Sequence, residues 1–391
     1  MNKADQMLTV HTIAEEKPQY TLKELILYFL KLGTIGFGGP PALVSYMHRD
    51  LVEKRRWINE DDYKEGMALS QLAPGPLAAQ LAIYIGYVHY KIVGATLAGI
   101  AFVLPSFFMV LALGFFYLKY GGLPWVQALF YGIGSCVIGI IAAGTYKLAK
   151  KSLGKDVVLW CIFFVLAACT FWFEREIISL ILAGGLVYWL YRTKLNKPLL
   201  TISILPFLLQ APVVMRDDQL LKQIGWFFFK AGAFVFGSGL AIVPFLYGGV
   251  VKEYGWLTEQ QFLDAVAVAM ITPGPVVITV GFIGYLIAGI PGATVAALAT
   301  FLPCYIFTVV PAPYFKKWGK HPSIKAIIEG ITAAAVGAIA GAVLVLAKRQ
   351  ISDLPTVLIA LASVGLLMRY KNLKEPVLII IAGALGLALK G

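Results

Sequence analysis

Apolar runs long enough to span or nearly span a bilayer recur along this chain from residue 22 to residue 390, with short charged connectors between them. A soluble core cannot absorb that much apolar surface, so the chain reads as an all-α polytopic membrane protein. Its mean hydropathy of +0.78 agrees with this, and no stretch is left over for a soluble catalytic domain of ordinary size. Residues 1–21 are polar at the start and lack the apolar core of a cleaved leader, so they read as a cytoplasmic tail. The formal charge of +12 is shared among the connectors. That fits positive-inside topology and contact with anionic lipid, and gives no reason to expect nucleic acid.

An internal repeat follows from the same rows. Residues 31–76 align with residues 230–275 without a gap, and 13 of the 46 positions are identical, including Lys31/Lys230, Phe37/Phe236, Trp57/Trp256 and a whole Pro-Gly-Pro. After a one-residue deletion the match resumes at Gly94-Ala95-Thr96 with Gly292-Ala293-Thr294, and at Leu104-Pro105 with Leu302-Pro303. The first repeat is placed at 22–198 and the second at 221–391, with the apolar stretch 199–220 as a linking transmembrane segment. Lys and Arg concentrate at 148–155 and 191–197 in the first half, and at 316–325 and 369–374 in the second. Assigning those connectors to the cytoplasm sets corresponding loops on opposite sides, so the halves are inverted repeats.

Each half reads as two broken segments followed by four spanning helices. The broken segments are 22–48 and 60–90, then 221–250 and 259–288. The connector 47–65 leaves two readings open. Its five Lys/Arg place it in the cytoplasm and make the first broken segment re-entrant; its six acidic residues weaken that argument, and if the segment spans, the chain crosses thirteen times.

Helix breakers at membrane depth persist where the freed backbone faces protein, water or a ligand. In transporters built from inverted repeats, such breaks near the midplane form the binding site. At Pro74-Gly75-Pro76 and Pro273-Gly274-Pro275 one helix ends and another begins, so N–H groups and the positive dipole end of a half-helix become available to an anion. The second pair of breaks contains Gly36, Gly38, Gly39 and Pro40 in one half, and Gly237, Ser238 and Gly239 in the other. Gln80 and Thr279 lie beside the Pro-Gly-Pro motifs as candidate hydrogen-bond donors. Lys31 and Lys230 are candidate intramembrane charges. Glu65 and Asp264, at equivalent positions nine before each motif, are candidate carriers of a coupling proton. Asn59 with Asp62, and Thr258 with Gln261, have capping-box spacing. The four cysteines lie in apolar runs without metal-ligand spacing, and no hydrolase, metalloprotease or phosphate-loop motif is present. No enzyme chemistry, metal or cofactor is expected.

GFGGPPALVSYM, WINEDD and LAPGPLAAQLAIYIGY in the first half, with FGSGLAIVPFL and ITPGPVVITVGFIGYLIAGIPGA in the second, closely resemble the signature of the chromate ion transporter family in its long two-domain form. The resemblance implies a multi-pass secondary transporter of the prokaryotic inner membrane that exports chromate and confers resistance, with its N-terminus in the cytoplasm. The expected substrate is chromate or a similar tetrahedral oxyanion, and the expected driving force is the proton gradient. A carrier of sulfate or another oxyanion, or an anion channel, remains the alternative, and a homodimer is left open.

Overall fold

The computed structural model of the protein describes residues 19–37, 39–174, 178–193, 219–234, 242–315, 322–351, 353–370, 373 and 375–390, and among these every regular element is helical. The expected linking segment, and the breaks at Gly38 and at Gly237, Ser238 and Gly239, lie outside the described residues. The first half comprises α1 (Leu22–Ile35), α2 (Gly39–Met47), α3 (Glu60–Leu72), α4 (Leu77–Tyr120), α5 (Pro124–Leu153), α6 (Val157–Phe173) and α7 (Ile178–Thr193). The second comprises α8 (Leu220–Ala233), α9 (Ile242–Leu246), α10 (Glu259–Ile271), α11 (Thr279–Val309), α12 (Pro322–Gln350), α13 (Leu354–Arg369) and α14 (Glu375–Lys390). One turn of wider π-helix extends α2 over His48–Lys54, and another extends α9 over Tyr247–Glu253.

Local sequence sets several helix starts. Thr258 accepts from the Gln261 amide at 3.2 Å while the Gln261 side chain accepts from the Thr258 amide at 2.9 Å, the reciprocal pair that the spacing predicts. Asn59 caps α3 by accepting from the Asp62 amide at 2.7 Å. Thr21 and Glu24 make a further capping box at the head of α1.

The broken segments are hairpins. Gly66 of α3 lies against the ring of Tyr84 in α4, which requires the chain to reverse between them, at Pro74-Gly75-Pro76. Arg55, beyond α2, sits 5.4 Å from the ring centroid of Tyr28 in α1, so α1 and α2 make another hairpin with its tip near Gly36. A further reversal divides α4 at Lys91 (φ 50°, ψ −139°), where Gly86 comes back against Gly94 and Ile83 against Gly99. The second half does the same at Ala288 and Gly289, with Gly284 against Gly292.

Length decides between spanning and re-entrant. The 13 residues of α3 rise roughly 20 Å at about 1.5 Å per residue, short of a hydrocarbon core of about 30 Å. The part of α4 after Lys91, residues 92–120, rises roughly 43 Å and crosses fully. Tyr20, ahead of α1, stacks on Trp57 at 4.7 Å, and its hydroxyl meets His89 Nδ1 at 2.8 Å. The head of α1, the connector 47–65 and the Lys91 reversal therefore share one face, which is the re-entrant reading.

The halves are inverted in space. The crossing part of α4 runs antiparallel to that of α11: Thr96 Oγ1, near the start of one, lies 2.8 Å from the Tyr305 hydroxyl near the end of the other, while Gly114, near the end of α4, meets the ring of Tyr285, just ahead of the reversal from which the crossing part of α11 sets out. The face opposite Lys91 carries Lys252, Glu259, Glu174 and Arg349, joined by ion pairs. The halves also interlock. α12 of the second packs on α6 and α7 of the first, and α5 of the first packs on α13 and α14 of the second. Gly337 against the Phe163 backbone and Gly139 against the Ala360 carbonyl show the small-residue contacts that let these helices approach. The main apolar core draws on both halves, from Val110 and Cys136 to Phe262 and Ala382.

Candidate functional site

The hairpin tips are the places where backbone polar groups lose their helical partners inside the bilayer. Pro74 and Pro76 have no N–H to give, and Gly75 takes φ +142°, a conformation closed to residues with a Cβ. The carbonyls of Ala73 and Pro74 are left without intrahelical donors, and the buried Gln80 side chain turns back to meet them: Nε2 donates to the Pro74 oxygen at 2.8 Å and to Ala73 at 3.4 Å. Gly274 takes φ +97° in the second half. Thr279, at the position of Gln80, donates to the Val276 carbonyl at 2.7 Å instead. Pro76 and Pro275 serve as N-caps, so the returning helix begins one residue later than a proline in the first turn would place it. In the second half a 3₁₀ turn over Val276–Ile278 precedes α11. Gly75, Pro76, Pro273, Gly274 and Pro275 are buried, and Pro74 is half-buried.

The breaks of the two halves meet. The Gly274 amide donates to the Gly36 carbonyl at 3.0 Å, tying the Pro-Gly-Pro tip of the second half to the glycine-rich tip of the first. This corrects one expectation: the Gly274 N–H is committed to protein and is not available to an anion. The amides that head the returning helices, Leu77 and Ala78 in one half and Val276 and Val277 in the other, lie upstream of the first helical bonds, which run from Ala79, Gln80 and Ile278 to Pro76 and Pro275. Gly36 is buried, while Gly39 (φ +70°) and Pro40, both half-buried, open α2.

Each tip also rests on the crossing helix of the opposite half. Gly274 lies so close to Ser106 of α4 that a Cβ there would collide with the hydroxyl, and Gly75 lies on Cys304 of α11. Ser106 and Cys304 occupy equivalent positions, each following the proline inside its helix (Pro105, Pro303). The match of Leu104-Pro105 with Leu302-Pro303 leads to this pair, but only packing shows that it faces the tips.

The lysines are not brought there. Lys31 is exposed, on a side of α1 away from the buried face of Leu25, Phe29 and Leu32. Lys230 is half-buried, with its ammonium 5.9 Å from the ring centroid of the exposed Trp226. The reason is the amphipathic face of α1 and α8, which turns the apolar side chains inward at these positions. The two acids differ from one another. Asp264 is 3% exposed; it accepts from the Tyr117 hydroxyl at 2.7 Å and from Gln260 Nε2 at 2.9 Å, so the other half supplies one of its partners. Glu65 is half-buried and faces the Tyr84 hydroxyl of its own hairpin. The sequence has no signal for Tyr117, since the contact spans two elements from different halves.

Residues 23–189 and 222–387 each match the chromate transporter family. A chromate transport protein of Cupriavidus metallidurans is 63% identical over 384 residues, covering 97% of this chain and 95% of that protein. A probable chromate transport protein of Synechococcus elongatus is 56% identical over 396 residues, covering 99% and 98%. A chromate transport protein of Pseudomonas aeruginosa is 28% identical over 392 residues, covering 94% and 92%. No solved structure matches the chain.

Proposed function

The chain belongs to the chromate transporter family in its two-repeat form, and on that premise we propose that it exports chromate from the cytoplasm by alternating access, driven by the proton gradient, and so confers chromate resistance. The observation that carries the proposal is the meeting of the buried breaks of two inverted halves, with Gly274 bonded to Gly36. A tetrahedral dianion at that junction gains from the half-helix N-termini on either side. Positive dipole ends reaching it from both faces of the membrane suit a substrate that is exposed first to one side and then to the other. The face that holds Arg55, Lys91, Lys147 and Lys150 is assigned to the cytoplasm, since Lys and Arg accumulate on that side. On that assignment the N-terminus is cytoplasmic, and the membrane proposed for the protein is the prokaryotic inner membrane.

Asp264 is the coupling group in this proposal. Protonated, it is neutral while buried; ionised, it relies on Tyr117 and Gln260, so a change of protonation alters the bond between the halves. Everted membrane vesicles test the whole reading. Chromate uptake that collapses with an uncoupler is expected, and Asp264→Asn should bind chromate yet lose the uncoupler-sensitive accumulation. Absence of chromate flux, or preference for sulfate, would sink the substrate claim, and flux indifferent to the uncoupler would favour a channel.

A further inference from the structure

Resting on the reading of the tips as an oxyanion site, we infer that Ser106 is a direct ligand of the transported anion and makes the site asymmetric, so that the anion binds closer to the second hairpin than to the first. Ser106 is fully buried, and its Oγ has no hydrogen-bond partner among the described residues. A buried hydroxyl without a partner loses its hydration for nothing, so such groups are rare unless a ligand completes them. Three other buried hydroxyls of the hairpins differ. Ser70 donates to the Gly66 carbonyl, Thr272 to Ala269 and Thr279 to Val276, each to a carbonyl three or four residues back along the chain. A hydroxyl has one proton to donate, so these three are already committed.

The position of Ser106 adds a second argument. It packs directly on Gly274, at the turn from which the returning half-helix of the second hairpin starts, and it comes from the crossing helix of the first half. Pro105 lies beneath Gly33 of α1, 3.3 Å from where a Cβ on that glycine would be, which fixes this part of α4 against the first hairpin pair. An anion oxygen at the second tip would accept from Ser106 Oγ and from the leading amides of the half-helix together. At the first tip the equivalent residue is Cys304, also fully buried and packed on Gly75. A thiol is a weak donor, so that tip offers backbone amides without a comparable side-chain donor. Two sites related by inverted symmetry are therefore chemically unequal, with the Ser106 oxygen on one side and the Cys304 sulfur on the other, beside the exchange of Gln80 for Thr279.

The experiment is chromate titration of the purified full-length protein in lipid nanodiscs, with sulfate as a second probe, alongside thermal unfolding without anion. Ser106→Ala should weaken chromate binding about tenfold, equivalent to about 1.4 kcal/mol, while leaving the unfolding midpoint of the anion-free protein unchanged or raised. A purely structural serine would lower the midpoint. Cys304→Ser, which supplies the missing donor, should tighten binding several-fold. An unaltered protein that binds neither anion removes the site reading and this inference with it. An unaltered protein that binds chromate, with Ser106→Ala binding it equally well, overturns the inference alone and leaves the substrate assignment standing.

Discussion

Gly75 and Gly274 are the residues on which the tips depend, and for two separate reasons. Their positive φ values exclude a Cβ on conformational grounds, and the space beside them is filled by Gln80 and Cys304 in one case and by Ser106 in the other. Gly274→Ala should therefore abolish chromate transport while the protein still reaches the membrane, as read by vesicle flux against protein level on a blot. Wild-type flux would show that the tip tolerates displacement of Ser106. Gln80 has a structural task at the first tip: its amide is the donor for carbonyls that the prolines leave unpaired. Gln80→Leu would strand the Ala73 and Pro74 oxygens, and a loss of about 1–3 kcal/mol is expected in a detergent unfolding series. The glycines and prolines are legible in the sequence because their backbone chemistry is local. Ser106 is not, since an isolated serine in an apolar run reads as helix packing until its neighbours are known.

At the scale of elements, the capping box predicted at Thr258 forms in full, and the one predicted at Asn59 forms by half, with the Asn59 side-chain amide instead of its backbone N–H donating to Asp62. Thr258 and Gln261 close the head of α10, and the equivalent Asn59 closes α3. Thr258→Ala should cost about 1 kcal/mol, detectable as a lower unfolding midpoint with anion binding unchanged. The π-helical turns after α2 and α9 are a different matter. They bring His48 within 2.9 Å of Glu60 and Tyr247 within 3.0 Å of Glu259, residues that correspond between the halves, so each re-entrant hairpin is fastened to its neighbour at the membrane surface. Periodicity gives no hint of those fastenings. In the sequence the division of α4 at Lys91 is visible only as the end of the broken segment 60–90. The tight reversal there comes from Gly86 and Gly94 in contact, which no single-helix pattern reveals.

For the molecule as a whole, the inverted arrangement and the re-entrant hairpins make one prediction about sidedness. Single cysteines at Arg56 and Lys91 should react with an impermeant thiol reagent from the same face as the N-terminus, and one at Gly255 from the opposite face. Labelling of positions 56 and 255 from one face would overturn the inverted topology. The sequence by itself determined that the chain lies in a membrane, that it is duplicated and that its halves face opposite ways, because hydropathy, repeat identity and Lys/Arg bias are sums over many residues and survive without coordinates. It also located the breaks at the two Pro-Gly-Pro motifs and at Gly36, since proline and glycine act on their own backbone. Only the tertiary structure decided that the breaks are hairpin tips, that the lysines turn outward, and that α5 and α12 each pack on helices of the other half. It alone joined Gly274 to Gly36, Asp264 to Tyr117 and each tip to Ser106 or Cys304. These are contacts between segments far apart in the chain, set by how two inverted units fill one volume, and pattern along a single segment carries no record of them.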